Sequence, residues 1–268
     1  MKKYKQNPAT FQMTVPTKNN KSLQKVLQLV NKDIELKTLW QVMNVNAIDR
    51  LGMPDHGIVH FQIVANIGLK LLRMLIDAKI EPSVVKNFQL TNDDAEVVVF
   101  LGCIMHDLGM SVHRQNHEEF SLFLAHHKAQ ELLSFYPLGK RTILVSEVLH
   151  SIISHRSDGK PLTIEAGVVR VADALDMTEG RSRIPFEAGK VNIYSLSALA
   201  VEEIEILKGE VKPIKIKIKM SNSAGIFQVD ELLKEKLRGS GIEHYVEVVA
   251  EIEGATERKL LLHEFTID

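Results

Sequence analysis

The sequence predicts a mainly α-helical bundle followed by a smaller C-terminal α+β domain. Three observations predict it. Apolar residues recur at helical spacing from about residue 22 to residue 177. Beyond Pro185 the pattern switches, and Ile214-Lys215-Ile216-Lys217-Ile218-Lys219-Met220 alternates strictly, as a half-buried strand does. A length of 268 residues, 45% apolar and 25% charged, supports a buried core in each part. The expected division is a helical domain over 1–185 and an α+β domain over 186–268.

The elements follow in order. Residues 22–45 place Leu23, Val26, Leu27, Val30, Ile34, Leu36 and Leu39 near i, i+3, i+4 spacing, which predicts the first helix. Residues 56–77 repeat the pattern with Val59, Ile63, Val64, Ile67, Leu71, Leu72 and Leu75. Thr91-Asn92-Asp93-Asp94 is a helix-start cluster, and the apolar helix after it is expected to end at Gly109. Asn116-His117-Glu118-Glu119 fits a capping box for a helix through Leu133. Further helices are expected at 140–153 and, after Pro161 and Thr163, at 164–177. Several of these segments are apolar on most faces and belong at the centre of a bundle. In the second part, residues 201–207 are expected to pair with the strand at 214–220 across Lys208-Gly209-Glu210. Asp230 to Leu237 reads as a helix, and residues 245–253 and 257–265 as a hairpin around Gly254-Ala255-Thr256. Lys215, Lys217 and Lys219 read as the wet face of a strand.

Composition excludes several classes of function. Lys plus Arg number 33 and Asp plus Glu 34, so there is no basic excess for nucleic acid or an anionic membrane. Cys103 is the only cysteine, which excludes an internal disulfide and a cysteine-based zinc finger. It lies in an apolar run and reads as a buried thiol of a reducing, cytoplasmic compartment. The N-terminal segment MKKYKQNPATFQMTVPTKNN has no apolar h-region, and no stretch reaches the ~18 consecutive apolar residues of a membrane helix.

Histidine position is the informative feature. Nine of the 11 histidines lie between residues 56 and 155, where an even spread would put about four. His106-Asp107 closes a buried apolar helix, and an unpaired carboxylate buried there would cost several kcal/mol. A metal or a cationic partner removes that penalty; a buried hydrogen-bond network is the bland alternative. His56 and His60 stand at i, i+4, on one face if the helix has begun by residue 56. Asp173 lies inside an otherwise apolar helix, with Glu165 two turns earlier. Imidazoles and carboxylates converging from three helices make a site for a divalent cation of the Mn, Fe, Co, Ni or Zn type.

The ordered set His60, His106-Asp107 and Asp173 resembles the HD superfamily of metal-dependent phosphohydrolases. His60-Phe-Gln-Ile-Val64-Ala65 is similar to the family's first metal-binding helix, and residues 155–176, HRSDGKPLTIEAGVVRVADALD, to its last metal-binding stretch. His117-Glu-Glu-Phe-Ser-Leu-Phe-Leu-Ala resembles the helix start that supplies an extra His in the binuclear members, including the HD-GYP phosphodiesterases. The resemblance covers roughly residues 50–180. Three departures stand out: Met110 where some members carry a Lys, Asp158-Gly159-Lys160-Pro161 in place of the GYP signature, and Ser154-His155 in place of a His pair.

The resemblance implies a phosphatase or phosphodiesterase using one or two divalent ions (Mn, Fe, Co, Ni, Mg or Zn). One ion would be held by His60, His106, Asp107 and Asp173, and a second by His117 and His155 with Asp107 shared. His150 joins the candidate ligands. The implied reaction is hydrolysis of a phosphomonoester or phosphodiester by metal-activated water, with a nucleotide or cyclic nucleotide as small-molecule substrate. His113, a water or a second metal would protonate the leaving oxygen. His56, Lys160, Arg181 and Arg183 are candidates for contacting substrate, although His56 also suits a simple turn after Pro54-Asp55. A degenerate module sensing a nucleotide or metal is the alternative function, and a homo-oligomer is compatible with either.

Overall fold

The computed structural model describes residues 10–156, 158–177, 197, 199–252 and 265–266. The N-terminal part is helical: α1 (Lys21–Lys32), α2 (Ile34–Asn44), α3 (Ile58–Asp77), α4 (Ser83–Phe88), α5 (Asn92–Met105), α6 (His117–Leu132), α7 (Leu138–Ile153) and α8 (Ile164–Ala174). A four-stranded sheet with short helical turns forms the C-terminal part. This is the helical bundle with a smaller α+β part that the periodicity predicts.

The single helix expected over 22–45 is two helices. Asp33 ends α1 in extended backbone, and its carboxylate accepts the Leu36 amide at 2.9 Å to start α2. A short acidic side chain competes with the helix for backbone amides, so the apolar periodicity runs on through a break. The capping box of α5 forms as expected, with Thr91 and Asp94 each bonding the other's backbone. From Asp94 to Met105 every residue of α5 is buried, and it packs against α3, α7 and α8 as the central helix. The Trp40 indole donates to the Ile104 carbonyl at 2.9 Å, tying α2 to it.

At its end α5 departs from expectation. It stops at Met105, so His106 and Asp107 turn out of the helix, and Leu108–Ser111 is a 3-10 turn. Gly109 is needed there because a Cβ would stand 2.0 Å from the His117 carbonyl oxygen. The capping box expected at Asn116 does not form. Asn116 is left-handed, at φ 57, and its side chain makes no cap bond. Asn tolerates that conformation, and it swings the chain so that α6 begins directly on His117. α4 escapes the periodicity because it is six residues long and is capped from afar. Buried Glu165 accepts the Ser83 and Val84 amides at 3.1 and 3.0 Å.

α3 is long and apolar enough to cross a membrane by length and composition, yet it is mostly buried against α5 and α8. Cys103 is buried, as expected for a small hydrophobe, and burial pushes its thiol up.

The sheet runs β1 (Val201–Lys208), β2 (Ile214–Met220), β3 (Val246–Ile252), β4 (Phe265–Thr266). β1 and β2 pair antiparallel as expected, β2 and β3 parallel, and β3 and β4 antiparallel. A parallel pair needs a crossover, and here it passes through a π-helical turn at Gln228–Leu233 into α9 (Lys234–Leu237). That crossover packs on α8, the helix that carries Asp173. The lysine ladder is a wet face with partners, since Lys217 pairs with Glu251 at 2.8 Å and Lys219 with Glu203 at 2.6 Å. The hairpin loop at Gly254-Ala255-Thr256, Arg181 and Arg183 lie outside the described residues.

Candidate metal centre

Six side chains, from α3, α6 and α8 and from the turns after α5 and α7, converge in the bundle. His60 stands in the first turn of α3, His106 and Asp107 just past α5, His117 at the first position of α6, His155 just past α7, and Asp173 in the last turn of α8. All six are buried, His106 completely. Helix ends are where this can happen, because a side chain there leaves its own helix and reaches a shared space.

Their spacing suits an ion. His60 Nε2, His106 Nε2 and Asp173 Oδ1 form a triangle with each side 3.5 Å. Donors ~2.1 Å from a common ion in a tetrahedral arrangement lie ~3.4 Å apart, so the triangle fits a metal far better than it fits hydrogen bonds. Asp107 faces both ways. Its Oδ2 is 3.4 Å from His106 Nε2, while its Oδ1 is 2.9 Å from His117 Nε2 and 3.5 Å from His155 Nε2. Glu118 adds Oε1 at 3.1 Å from His117 Nε2. Three overlapping donor groups result: His60, His106 and Asp173; His106, Asp107 and His155; His117, Glu118 and His155.

The outer ring nitrogens point to the same conclusion. His60 Nδ1 meets Asp176 Oδ2 at 2.6 Å, and His106 Nδ1 meets the Cys103 carbonyl at 2.9 Å. His155 Nδ1 meets the Ile152 carbonyl at 2.6 Å and His117 Nδ1 the Arg114 carbonyl at 3.0 Å. Each ring therefore has an oxygen acceptor for an Nδ1 proton, which leaves the Nε2 lone pair turned inward to ligate. The Arg114 guanidinium also lies against the His117 ring, 3.0 Å from Nδ1.

Electrostatics follow from the crowding. Burial disfavours a charged His106, but the Asp107 and Asp173 carboxylates outweigh it and lift the ring to about 10. Burial alone would raise Asp107, yet His106 beside it holds the carboxyl well below the usual range. Asp173 is likewise held low against burial, by Lys236 and His106. His155 moves down because it is buried. An ion entering among these groups takes over the charge balance and leaves the rings neutral, the form that ligates.

The sequence comparisons agree. The HD domain family matches residues 57–178, a stretch that contains all six side chains. Over 237 residues the chain is 44% identical to "Uncharacterized protein MJ1020" of Methanocaldococcus jannaschii, covering 88% of this chain and 90% of that protein. The chain belongs to the HD domain family.

HD domains bind divalent metals, and the buried His and Asp groups here are ones that could hold such an ion. The remaining candidates of this HD domain are placed less uniformly. His56 is buried beside the centre, its ring 5.6 Å from that of His60 and its Nδ1 on the Pro54 carbonyl at 2.8 Å. His150 is not brought in. Its Nε2 accepts the Leu162 amide at 2.9 Å and its Nδ1 lies 3.4 Å from Ser154 Oγ, so no ring nitrogen is turned toward the other ligands. His113 is exposed, its Nδ1 accepting the Gln115 amide at 3.0 Å, and Lys160 is exposed too. Met110, where some relatives carry a Lys, is buried in the core.

Three residues were not singled out as site residues from the sequence. Glu118 adjoins His117, and Asp176 follows Asp173 by three; both had a signal in their neighbours. Lys236, from α9, puts its ammonium on Asp173 Oδ2, and nothing in the sequence around it points there. Asp176 carries the first prediction. Asp176→Asn should weaken divalent-ion affinity about 10- to 100-fold with the fold retained, because His60 loses the carboxylate that orients its ring. Competition against a chromogenic chelator measures it; unchanged affinity would mean that His60 needs no such support. The exposed trio Glu35, His127 and Glu131 is different in kind. Lys128 already neutralises its acids, at 2.5 and 2.7 Å.

Proposed function

We propose that this HD domain protein hydrolyses a phosphomonoester or phosphodiester, with a nucleotide or cyclic nucleotide as the substrate class. The observation that carries this reading is Asp107, whose two oxygens face separate groups of inward-turned imidazoles. That geometry supports two adjoining ions: one on His60, His106, Asp107 and Asp173, the other on His117 and His155 with Asp107 shared. When bound, the ions supply a water of lowered pKa and Lewis-acid stabilisation of charge on the phosphoryl oxygens. The chain's own residues do the rest. Asp176 and the carbonyls of Cys103, Arg114 and Ile152 fix the tautomers. Burial by α3, α5 and α8 keeps the centre at low dielectric, where fixed charges act strongly. Arg114 and Arg156 add positive charge around His117 and Glu118, Arg156 Nε lying 3.1 Å from Glu118 Oε1. With His113 at the surface, water is left to protonate the leaving oxygen. The nucleotide class rests on family membership, since the centre recognises only the phosphoryl group. We read the sheet part, from about residue 186, as a separate unit that closes on the helical one, and the lone buried Cys103 is in keeping with a reducing, cytoplasmic setting.

The test is a turnover assay on protein reconstituted with Mn, using aryl phosphomonoesters and phosphodiesters first and a nucleotide panel second. Turnover supports the enzyme. Stoichiometric metal with no turnover on any phosphoester would overturn it in favour of a sensor.

A further inference from the structure

We propose that Lys236, delivered from the C-terminal part, is a phosphate-binding residue of the metal centre. It lies outside the stretch matched by the HD family, residues 57–178. The proposal rests on the reading that the ligand of this site is a phosphate.

Asp173 divides its two oxygens. Oδ1 faces His60 and His106 at 3.5 Å each, while Oδ2 takes the Lys236 ammonium. An ion held on the Oδ1 side and the ammonium on the Oδ2 side therefore do not compete for one atom. An ammonium has three donors. Among the described residues Asp173 is the one partner of Lys236 Nζ, so two donors remain. The side chain is 20% exposed, which keeps this corner of the centre open to solvent while the ligands beneath it are buried. A phosphate with one oxygen on the ion side would turn others toward this ammonium.

The position of Lys236 does not depend on its own flexible stem. Arg170, one turn before Asp173 on α8, is buried and donates to the carbonyls of Lys236 at 2.8 Å, Glu235 at 3.1 Å and Arg238 at 3.4 Å. It also bonds the Gly159 carbonyl. Carbonyls at the end of a short helix have no partner within it, and a guanidinium fork can gather several. One helix thus holds both the carboxylate that touches the ion side and the clamp that fixes the backbone of the cation. Arg170 is a positioning residue here and Lys236 the binding one.

Two full-length variants test this, with inorganic phosphate as the probe. Lys236→Gln keeps a hydrogen bond to Asp173 and removes the charge; Lys236→Arg keeps the charge. In metal-loaded protein, titration calorimetry should show phosphate affinity falling about tenfold or more in the Gln variant and recovering most of that in the Arg variant, with metal content and melting temperature near wild type. Phosphate affinity unchanged in the Gln variant would overturn the assignment. So would a fall in affinity that merely tracks lost metal, because Lys236 would then only hold Asp173 in place. Wild type that holds metal and binds no phosphate overturns it as well. Phosphate binding that depends on Lys236, without turnover of any ester, upholds the assignment while refuting the enzymatic reading.

Discussion

Asp107→Ala is expected to strip the protein of most bound divalent ion and to lower kcat/KM on an aryl phosphoester by about 10³-fold or more. A loss of ~4 kcal/mol of barrier stabilisation corresponds to that factor. Asp107 is the residue whose removal touches every donor group, since its oxygens lie within 3.5 Å of the Nε2 atoms of His106, His117 and His155. Its carboxyl stays ionised despite burial because His106 stands beside it. Asp107→Asn should fare little better. The amide keeps the shape but turns an NH₂ donor toward one of the imidazoles, and its single neutral oxygen replaces the two charged oxygens that face both sides. His106→Ala and Asp173→Ala should lose metal for a narrower reason, each opening the triangle with His60. His244→Ala, an exposed side chain in the turn Glu243–Tyr245, should keep full metal and serves as the control. Elemental analysis beside initial rates and a thermal melt reads all of these. Full metal in Asp107→Ala at unchanged folding would remove Asp107 from the centre.

What was legible in the sequence, and what was not, divides by the range of the interactions involved. His60, His106-Asp107 and Asp173 could be read because each terminates or interrupts an apolar helix, so burial follows from the neighbours and a buried acid calls for a cation. The start of α5 could be read because Thr91 and Asp94 cap each other within three residues. The break at Asp33 and the left-handed Asn116 are local too, but there the same residue type serves two conformations and the pattern fits both. α4, Arg170 and Lys236 were out of reach. Glu165 caps α4 from 81 residues away, and Lys236 meets Asp173 across 63. No window of sequence contains both ends of such a contact. His150 misled for a simpler reason: it is one of a histidine-rich set, and five residues before His155 is well off one helical face at about 100° per residue.

The number of ions is where the geometry makes the sharpest demand. His117→Ala is expected to lower metal content from about two per chain toward one and to cost most of the activity, several kcal/mol of barrier being typical for one lost ion. The expectation comes from which donors survive. Without His117, the triangle of His60, His106 and Asp173 is intact, and Asp107 Oδ2 still faces His106. The other side keeps only His155, Asp107 Oδ1 and Glu118, and Glu118 loses the imidazole 3.1 Å away while still held by Arg156. Three donors in place of four, one of them already ion-paired, are a weaker set for the second ion. The first ion should therefore bind with near wild-type affinity while the second needs far higher metal concentration. A titration in Mn followed by elemental analysis separates the two steps. Activity that returns at raised Mn would place the loss in the second ion. A variant retaining the wild-type metal count, with any rate change tracking substrate binding alone, would make the centre mononuclear and leave His117 a neighbour of the substrate.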